Sequence, residues 1–142
     1  MSSSKVPHLQ ATYKIIKYLK KTLGQGLFLS VDSSLQLKSY CDADWAACLD
    51  MRRSVSGFCV FLGDSLISWK CKKQQVVSRS STESEYMAMA TVTSEIVWLI
   101  ALLKNFGVNH MRPAFLYYDS KAALYIVAKH VKVDCHFIRE KI

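Results

Sequence analysis

Apolar and polar residues along the first third of the chain predict one helix followed by two strands. From Gln10 to Leu23 the apolar residues recur every three or four positions, as on one face of an amphipathic helix, and Gly24 follows as a stop signal. The apolar run at residues 27–31 predicts a short strand. The alternation from Leu35 to Asp42 predicts a second strand, in which successive side chains point to opposite faces.

The middle of the chain predicts two further strands and one long helix. The segments Gly57 to Leu62 and Leu66 to Trp69 are apolar and aromatic, and a turn-forming Gly-Asp-Ser sequence separates them. Strands connected this closely should pair antiparallel. A helix is predicted to begin at Ser80-Ser81-Thr82 and to end near Phe106, and its high apolar content indicates that much of it is buried.

The last part of the chain predicts one more strand and two helices. Ala114 to Tyr118 is a short strand-like segment that ends at Asp119, and the stretches Ser120 to Ala128 and Val131 to Glu140 have helical patterns. Strands followed by a helix, a strand and a helix predict an α/β or mixed α+β domain built around one sheet.

Carboxylates stand at or near the ends of two predicted strands. Asp42 and Asp44 are two residues apart and would share one face of their strand, where like charges repel unless a cation or base lies between them. Asp at such a position also commonly caps a turn, so the two aspartates are either turn-capping residues or metal ligands. Asp119 ends a strand before a helix and is either the N-cap of that helix or a metal ligand.

The long helix carries a further candidate acid near its start. Glu83 follows Ser80 by three residues and Glu85 follows Thr82 by three, so either pair fits a capping box. One glutamate is expected to cap the helix while the other faces a site, and the sequence does not distinguish them. Acids on separate elements suit Mg²⁺, which prefers oxygen ligands and can activate water for phosphodiester hydrolysis without a protein nucleophile.

Composition and charge favour a nucleic-acid partner. The 142 residues include 19 Lys and Arg against 11 Asp and Glu, for a net charge of +8, although a basic surface can also be merely solvated. Candidate phosphate contacts are the basic residues after the fourth predicted strand, namely Lys70, Lys72, Lys73 and Arg79.

The cysteines, the N-terminal sequence and the length of the longest apolar run indicate where in the cell the protein is expected. The five cysteines include no Cys-x-x-Cys pair, which favours reduced and mostly buried thiols over a zinc site. The N-terminus has no secretory pattern, and the longest apolar run, Ile96 to Leu103, is too short to span a bilayer. We therefore expect a soluble intracellular protein.

A series of short motifs covers nearly the whole chain, and together they are far more specific than any one alone. In chain order they are Tyr40-Cys41-Asp42-Ala43-Asp44-Trp45-Ala46, Arg52-Arg53-Ser54-Val55-Ser56-Gly57, Ile67-Ser68-Trp69-Lys70, Ser80-Ser81-Thr82-Glu83-Ser84-Glu85-Tyr86, Tyr118-Asp119-Ser120-Lys121-Ala122-Ala123 and Val133-Asp134-Cys135-His136-Phe137-Ile138-Arg139-Glu140. A chain with these motifs resembles the ribonuclease H domain of copia-type LTR retrotransposon Pol polyproteins, especially those of plants.

The resemblance implies a fold, an activity and a set of site residues. The implied fold is ribonuclease H-like, with a mixed sheet of antiparallel strands plus parallel additions, flanked by helices. The implied activity is Mg²⁺-dependent cleavage of the RNA strand of an RNA–DNA hybrid, with Mn²⁺ as an alternative ion. Of the family's four catalytic and metal-binding acids, the motifs match Asp42, Glu85 and Asp119, since the Glu-Tyr-Met-Ala context fits Glu85 better than Glu83.

The resemblance also implies the domain organisation and the partners. Residues 1–26 would be a lead-in segment from the reverse transcriptase, and residues 27–142 a ribonuclease H-like domain without its last strand and helix, which carry the fourth acid. The loop before Lys129-His130 would be shortened. Expected partners are an RNA–DNA hybrid and the reverse transcriptase and integrase portions of the same polyprotein, with no membrane, in a cytoplasmic retrotransposon particle or in the nucleus.

Three functional hypotheses follow from these observations. In the first, the chain is a ribonuclease H that acts during reverse transcription. In the second, it is an inactive retrotransposon remnant that at most binds nucleic acid through its basic surface. In the third, it is a structural segment of a larger polyprotein with no separate activity.

Overall fold

The computed structural model describes residues 5–108 and 112–120 of the chain. The helix predicted over Ser120 to Ala128 lies outside these ranges except for Ser120. The helix predicted over Val131 to Glu140, the shortened loop and the Phe-Ile-Arg-Glu motif lie wholly outside them. The described elements, in chain order, are α1 (Val6–Lys21), β1 (Leu37–Asp44), β2 (Val55–Leu62), β3 (Ser65–Lys73), α2 (Ser81–Asn105) and β4 (Phe115–Tyr117).

The four strands form one mixed sheet in the order β3-β2-β1-β4. β1 pairs antiparallel with β2, and β2 pairs antiparallel with β3, because each connection is short enough for the chain to reverse direction. β4 pairs parallel with β1, which is possible because α2 carries the chain back across the sheet before β4 begins. The predicted α/β class with a mixed sheet is confirmed, and the sheet has the antiparallel and parallel pairings that the resemblance implies.

The core lies between α2 and one face of the sheet. The most completely buried apolar side chains come from β1, β2, α2 and β4, and they are Leu37, Val60, Val92, Ile96 and Leu116. Burial of side chains of this size contributes about 1.5–3 kcal/mol each relative to exposure. The sequence pattern predicted the boundaries of α2 closely, since Ser80 is its N-cap and Gly107 follows it with a φ of 78°.

By composition and length alone, α2 could also cross a membrane. This differs from the expectation based on the longest uninterrupted apolar run, because α2 contains few charged residues among its apolar ones. In the fold, however, one face of α2 is buried against the sheet, as in the core helix of a globular domain.

Two predictions about the first part of the chain need correction. α1 begins at Val6, four residues earlier than the predicted start at Gln10, because Pro7 is tolerated in the first helical turn. The apolar run at residues 27–31 forms no strand: it pairs with no strand in the described sheet, and Ser30 N–H donates instead to the side chain of Ser65.

The helix α1 is separate from the core. None of its residues is buried, and it contacts no other helix or strand of the described chain. A domain boundary near residue 26 stays a prediction.

The turn between β2 and β3 depends on Gly63. Its φ of 60° is in the left-handed region, and its N–H donates to Gln36 O at 2.8 Å. A Cβ at this position would collide with the side chain of Ser33 and the backbone oxygen of Ser34. Gly63 therefore allows the β2–β3 turn to approach the segment that leads into β1.

We expect Gly63→Ala to lower the free energy of unfolding by about 2–4 kcal/mol, from left-handed strain plus steric overlap. Urea denaturation measures this loss. Gly24→Ala is the matched control, since Gly24 has a φ of 85° but nothing within 4 Å of its added Cβ. If the two variants lose the same stability, the close approach at Gly63 has no energetic importance.

Candidate active site

Asp42 lies within β1 rather than at its end, because the strand continues to Asp44. It pairs with Gly57 of β2, and its side chain is exposed, with Oδ1 accepting a hydrogen bond from Ala43 N–H at 2.8 Å. The preceding residue, Cys41, alternates to the other face of the strand and packs against the edge of the core.

The structure distinguishes the two glutamates at the start of α2. Ser80 Oγ accepts a hydrogen bond from Glu83 N–H at 3.2 Å, and Glu83 Oε2 accepts one from Arg79 N–H at 2.6 Å. Glu83 therefore stabilises the helix start, as a capping residue does. Glu85 Oε2, in contrast, is buried and has no hydrogen-bond partner among the described residues.

Parallel pairing of β1 and β4 brings the third acid close. Tyr40 of β1 pairs with Tyr117 of β4, and their rings stack at 4.8 Å between centroids. Asp42 follows Tyr40 by two residues, and Asp119 follows Tyr117 by two residues. The pairing therefore directs both aspartates to the same end of the sheet.

Asp42, Glu85 and Asp119 line one small pocket of about 10 Å³, close to the space that one water molecule needs. The structure thus brings together three acids that the sequence places on β1, on α2 and directly after β4. Asp44, the other acid of the strand motif, does not line the pocket. The remaining lining residues are Cys41, Ala88, Met89, Tyr118 and Ser120.

The acids create a strongly negative environment. Burial raises the pKa of the Cys41 thiol to about 12, and the negative charges of Asp42, Asp119 and Glu85 act in the same direction. Within the described ranges the salt-bridge pair is Lys38 with Asp64, so no Lys or Arg neutralises the three acids there. The thiol beneath the pocket consequently stays protonated at neutral pH.

The three acids have the right ligand atoms for a metal ion, but their side chains are not arranged to bind one in this structure. Among the described residues, no group of three or more His, Cys, Asp or Glu is arranged so that it could hold a metal ion. The donor chemistry nevertheless suits a hard divalent cation, because the three side chains supply only oxygen ligands. The orphaned Glu85 Oε2 also lacks the partner that a buried polar atom normally has.

Three of the four predicted phosphate contacts lie along one groove. Lys70, Lys72 and Lys73 line a cavity of about 310 Å³ between the sheet and α2, whereas Arg79 lies outside it, just before the N-cap. Met87 and Thr91 of α2 face this groove, and Ala88 and Met89 face the acid pocket. The basic groove and the acid pocket therefore lie on different flanks of the first half of α2.

A buried polar network between these two features was not recognised from the sequence. Gln74 follows β3 directly and hydrogen-bonds to Ser56, Ser78 and Ser84. Trp45, in the motif that begins with Tyr40, donates its indole N–H to Ser78 O at 3.0 Å. A single glutamine after a lysine run carries no periodic or charge signal that would have identified it.

The cysteines are less buried than expected. Cys41, Cys48 and Cys59 are half-buried and Cys71 is exposed, and these four form no disulfide with one another. The pKa of Cys48 is lowered, first by a backbone hydrogen bond from Met51 and then by the Lys73 ammonium, whose Nζ lies 3.1 Å from Sγ.

We expect iodoacetamide to modify Cys48 much faster than Cys41 at pH 8, because the thiolate is the nucleophile and Cys41 keeps its proton until the pH approaches about 12. Across the range from pH 7 to 9, Cys48 should stay the faster-labelled thiol and Cys41 should stay nearly unlabelled. Peptide mapping by mass spectrometry gives both rates, with the exposed Cys71 as the reference for an accessible thiol. Equal rates at Cys41 and Cys71 would contradict the burial of the Cys41 thiol.

Comparisons with known proteins find relatives of this chain among retrotransposon Pol polyproteins. No family model matches it. It is 42% identical to the retrovirus-related Pol polyprotein from transposon RE1 of Arabidopsis thaliana, in an alignment that covers 95% of this chain and 10% of the relative. It is 34% identical to the Pol polyprotein from transposon TNT 1-94 of Nicotiana tabacum, over 95% of this chain and 11% of that relative.

Among solved structures, the chain has a partial likeness to LC11-RNase H1 in complex with RNA/DNA hybrid, with a TM-score of 0.43 and 13% identity over 70% of this chain and 65% of that one. The chain spans about a tenth of the length of the Pol polyproteins that it matches. The resemblance inferred from the motifs is confirmed: the chain is homologous, over nearly all of its length, to one segment of the retrovirus-related Pol polyproteins of plant copia-type transposons.

Proposed function

We propose that this chain acts as the ribonuclease H segment of a retrotransposon Pol polyprotein and hydrolyses the RNA strand of RNA–DNA hybrids. The observation that carries the proposal is the convergence of Asp42, Glu85 and Asp119 on one pocket from three separate elements. The choice of a hybrid as substrate rests on the motif resemblance. Homology to Pol polyproteins supports the same assignment.

The three acids would hold a divalent cation, Mg²⁺ or Mn²⁺. A cation bound there supplies water activation and stabilisation of the leaving oxygen. Glu85 is half-buried and sits on α2 with its Oε2 buried, whereas Asp42 and Asp119 are exposed and accessible from solvent. The substrate phosphate would therefore approach from the side of the two aspartates.

The rest of the hybrid would be held by positive charge. Lys70 and Lys72 line the groove and have no acidic partner among the described residues, so both ammonium groups can contact phosphates. Lys73 would contribute from the same groove, and Arg79 from the start of α2. Contacts of this kind give affinity without reading base sequence, so discrimination between RNA and DNA would come from groove shape and 2′-hydroxyl groups.

A second candidate function is nucleic-acid binding without cleavage. The observation that favours it is the absence, among the described side chains, of a group arranged to hold a metal ion. In that case the lysine groove would act alone, and the acids would be a remnant of a catalytic site. In either case the reverse transcriptase and integrase portions of a polyprotein are the proposed protein partners.

We expect Asp42→Asn to lower Mg²⁺-dependent cleavage of a labelled RNA–DNA hybrid by about a hundredfold or more, because it removes one of the negatively charged ligands that would hold the cation. The same loss is expected for Glu85→Gln. Asp44→Asn is the matched control, since Asp44 lies on the same strand but outside the pocket. EDTA should abolish cleavage by the wild-type protein.

Cleavage that survives Asp42→Asn or EDTA would exclude the proposed site. Hybrid binding by the wild-type protein without cleavage in Mg²⁺ or Mn²⁺ would instead support the second candidate. Loss of activity in Asp44→Asn equal to that in Asp42→Asn would show that the assay reports a general effect of charge on this strand.

The groove predicts a specific dependence of binding on salt. In the non-cleaving Asp42→Asn background, we expect Lys70→Gln with Lys72→Gln to weaken hybrid binding and to reduce the slope of log K against log salt by about one for each phosphate that the protein no longer neutralises. Fluorescence anisotropy at several salt concentrations measures the slope. Lys104→Gln, at the far end of α2, should leave it unchanged, and an equal effect there would mean that only net charge matters.

A further inference from the structure

We propose that Gln74 is a positioning residue that holds the first turns of α2, and with them Glu85, in register with the strand that carries Asp42. The inference rests on the proposed function for its catalytic consequence, but the structural role can be tested separately. Among the described residues, Gln74 hydrogen-bonds to none of the three acids, so its effect on chemistry would pass through the residues it does bond.

The side chain of Gln74 joins three parts of the fold. Its Nε2 donates to Ser56 Oγ of β2 at 2.8 Å and to Ser84 O of α2 at 2.9 Å. Its Oε1 accepts from Ser78 Oγ at 2.9 Å. Because Ser84 directly precedes Glu85, the bond to its carbonyl fixes the helical turn from which the Glu85 carboxylate projects.

The network continues to the end of β1. Ser78 O accepts the indole N–H of Trp45, which follows Asp44 directly. The backbone N–H of Gln74 donates to Ser54 O at 2.8 Å, and Ser54 Oγ accepts from Ala46 N–H at 3.1 Å. Ala46 has a φ of 52°, a left-handed conformation that a residue with a side chain adopts only when its surroundings hold it there.

Burial makes this network consequential. Gln74, Ser54, Ser78 and Ser84 are all buried, so their polar groups cannot turn to water if a partner is removed. Loss of the Gln74 carboxamide would leave the Ser84 carbonyl and two serine hydroxyls without this partner at once. Residues that orient metal-ligating side chains from behind typically change metal affinity by about 10- to 100-fold when mutated.

The position of Gln74 also connects the two proposed parts of the site. Gln74 lines the lysine groove on one side, and through Ser84 it braces the turn that leads to the acid pocket on the other. Gln74 therefore lies between the lysine groove and the turn that carries Glu85, and its hydrogen bonds go to Ser56, Ser78 and Ser84 rather than to the lysines.

Gln74→Met and Gln74→Ala test the inference against Gln75→Ala. Gln75 is exposed, lines the same groove and makes no hydrogen bond among the described residues, so it is a matched control. The first measurement uses the protein without metal: amide hydrogen exchange at Ser84 and Glu85 and the NMR signal of the Trp45 indole N–H. We expect exchange to accelerate by about tenfold or more in both Gln74 variants, and the indole signal to shift.

The second measurement is a titration with Mn²⁺ alone, followed by steady-state kinetics on the hybrid. We expect the Gln74 variants to need about tenfold more Mn²⁺ for half-saturation and to have a lower kcat with nearly unchanged KM, since the lysine groove is intact. Ser56→Ala removes only one of the three bonds and should give a smaller change in the same direction. If the Gln74 variants do not fold, Ser56→Ala tests the positioning role in their place.

The outcomes separate this inference from the proposed function. Unchanged exchange at Glu85 and an unchanged Trp45 signal in the Gln74 variants would overturn the positioning role. Faster exchange in a protein whose wild type neither binds Mn²⁺ nor cleaves the hybrid would uphold the structural role and refute the proposed function. An effect of Gln75→Ala as large as that of Gln74→Ala would also overturn the inference, because it would assign the effect to the groove surface.

Discussion

The packing of α2 against the central strands is the contact on which the rest of the structure depends. Val92 and Ile96 of α2 are almost completely buried against side chains from β1, β2 and β4, and this burial holds the only described helix that spans the sheet. The same helix provides the crossover that allows β4 to lie parallel to β1. Without it, Asp119 would have no fixed position relative to Asp42, and Glu85 would have no position at all. Fold and candidate site are thus consequences of one apolar interface.

The sequence could predict the local elements because their signals are local. Alternation in β1, the Ser80 cap and Gly107 each act within a few residues. The sequence could therefore predict the boundaries of α2 and which side chains of β1 share a face. The convergence of the acids required the pairing of β1 with β4, which joins residues more than seventy positions apart and leaves no periodic trace. The motif resemblance supplied that information where periodicity could not.

The failures have equally specific causes. Residues 27–31 have the composition of a strand, but a strand also needs a neighbour with free hydrogen-bonding groups, and composition does not reveal one. The cysteines were expected to be mostly buried, yet Cys71 lies on an outer strand of the described sheet and is exposed. Gln74 carries no signal at all, since its partners Ser56 and Ser84 lie 18 and 10 positions away.

A cluster of uncompensated acids beside a core thiol is itself a departure from the most stable arrangement, as functional sites often are.

The order of the strands has one more consequence. β3 is an outer strand of the described sheet, and its unpaired backbone groups could in principle accept a strand from another molecule. Lys70, Lys72 and Lys73 lie along its last part and are exposed, so an approaching strand would meet mutual repulsion and the need to strip water from three ammonium groups. The lysines that we assign to phosphate binding would thereby also keep this edge from templating aggregation, and a nucleic acid bound across them would shield it further.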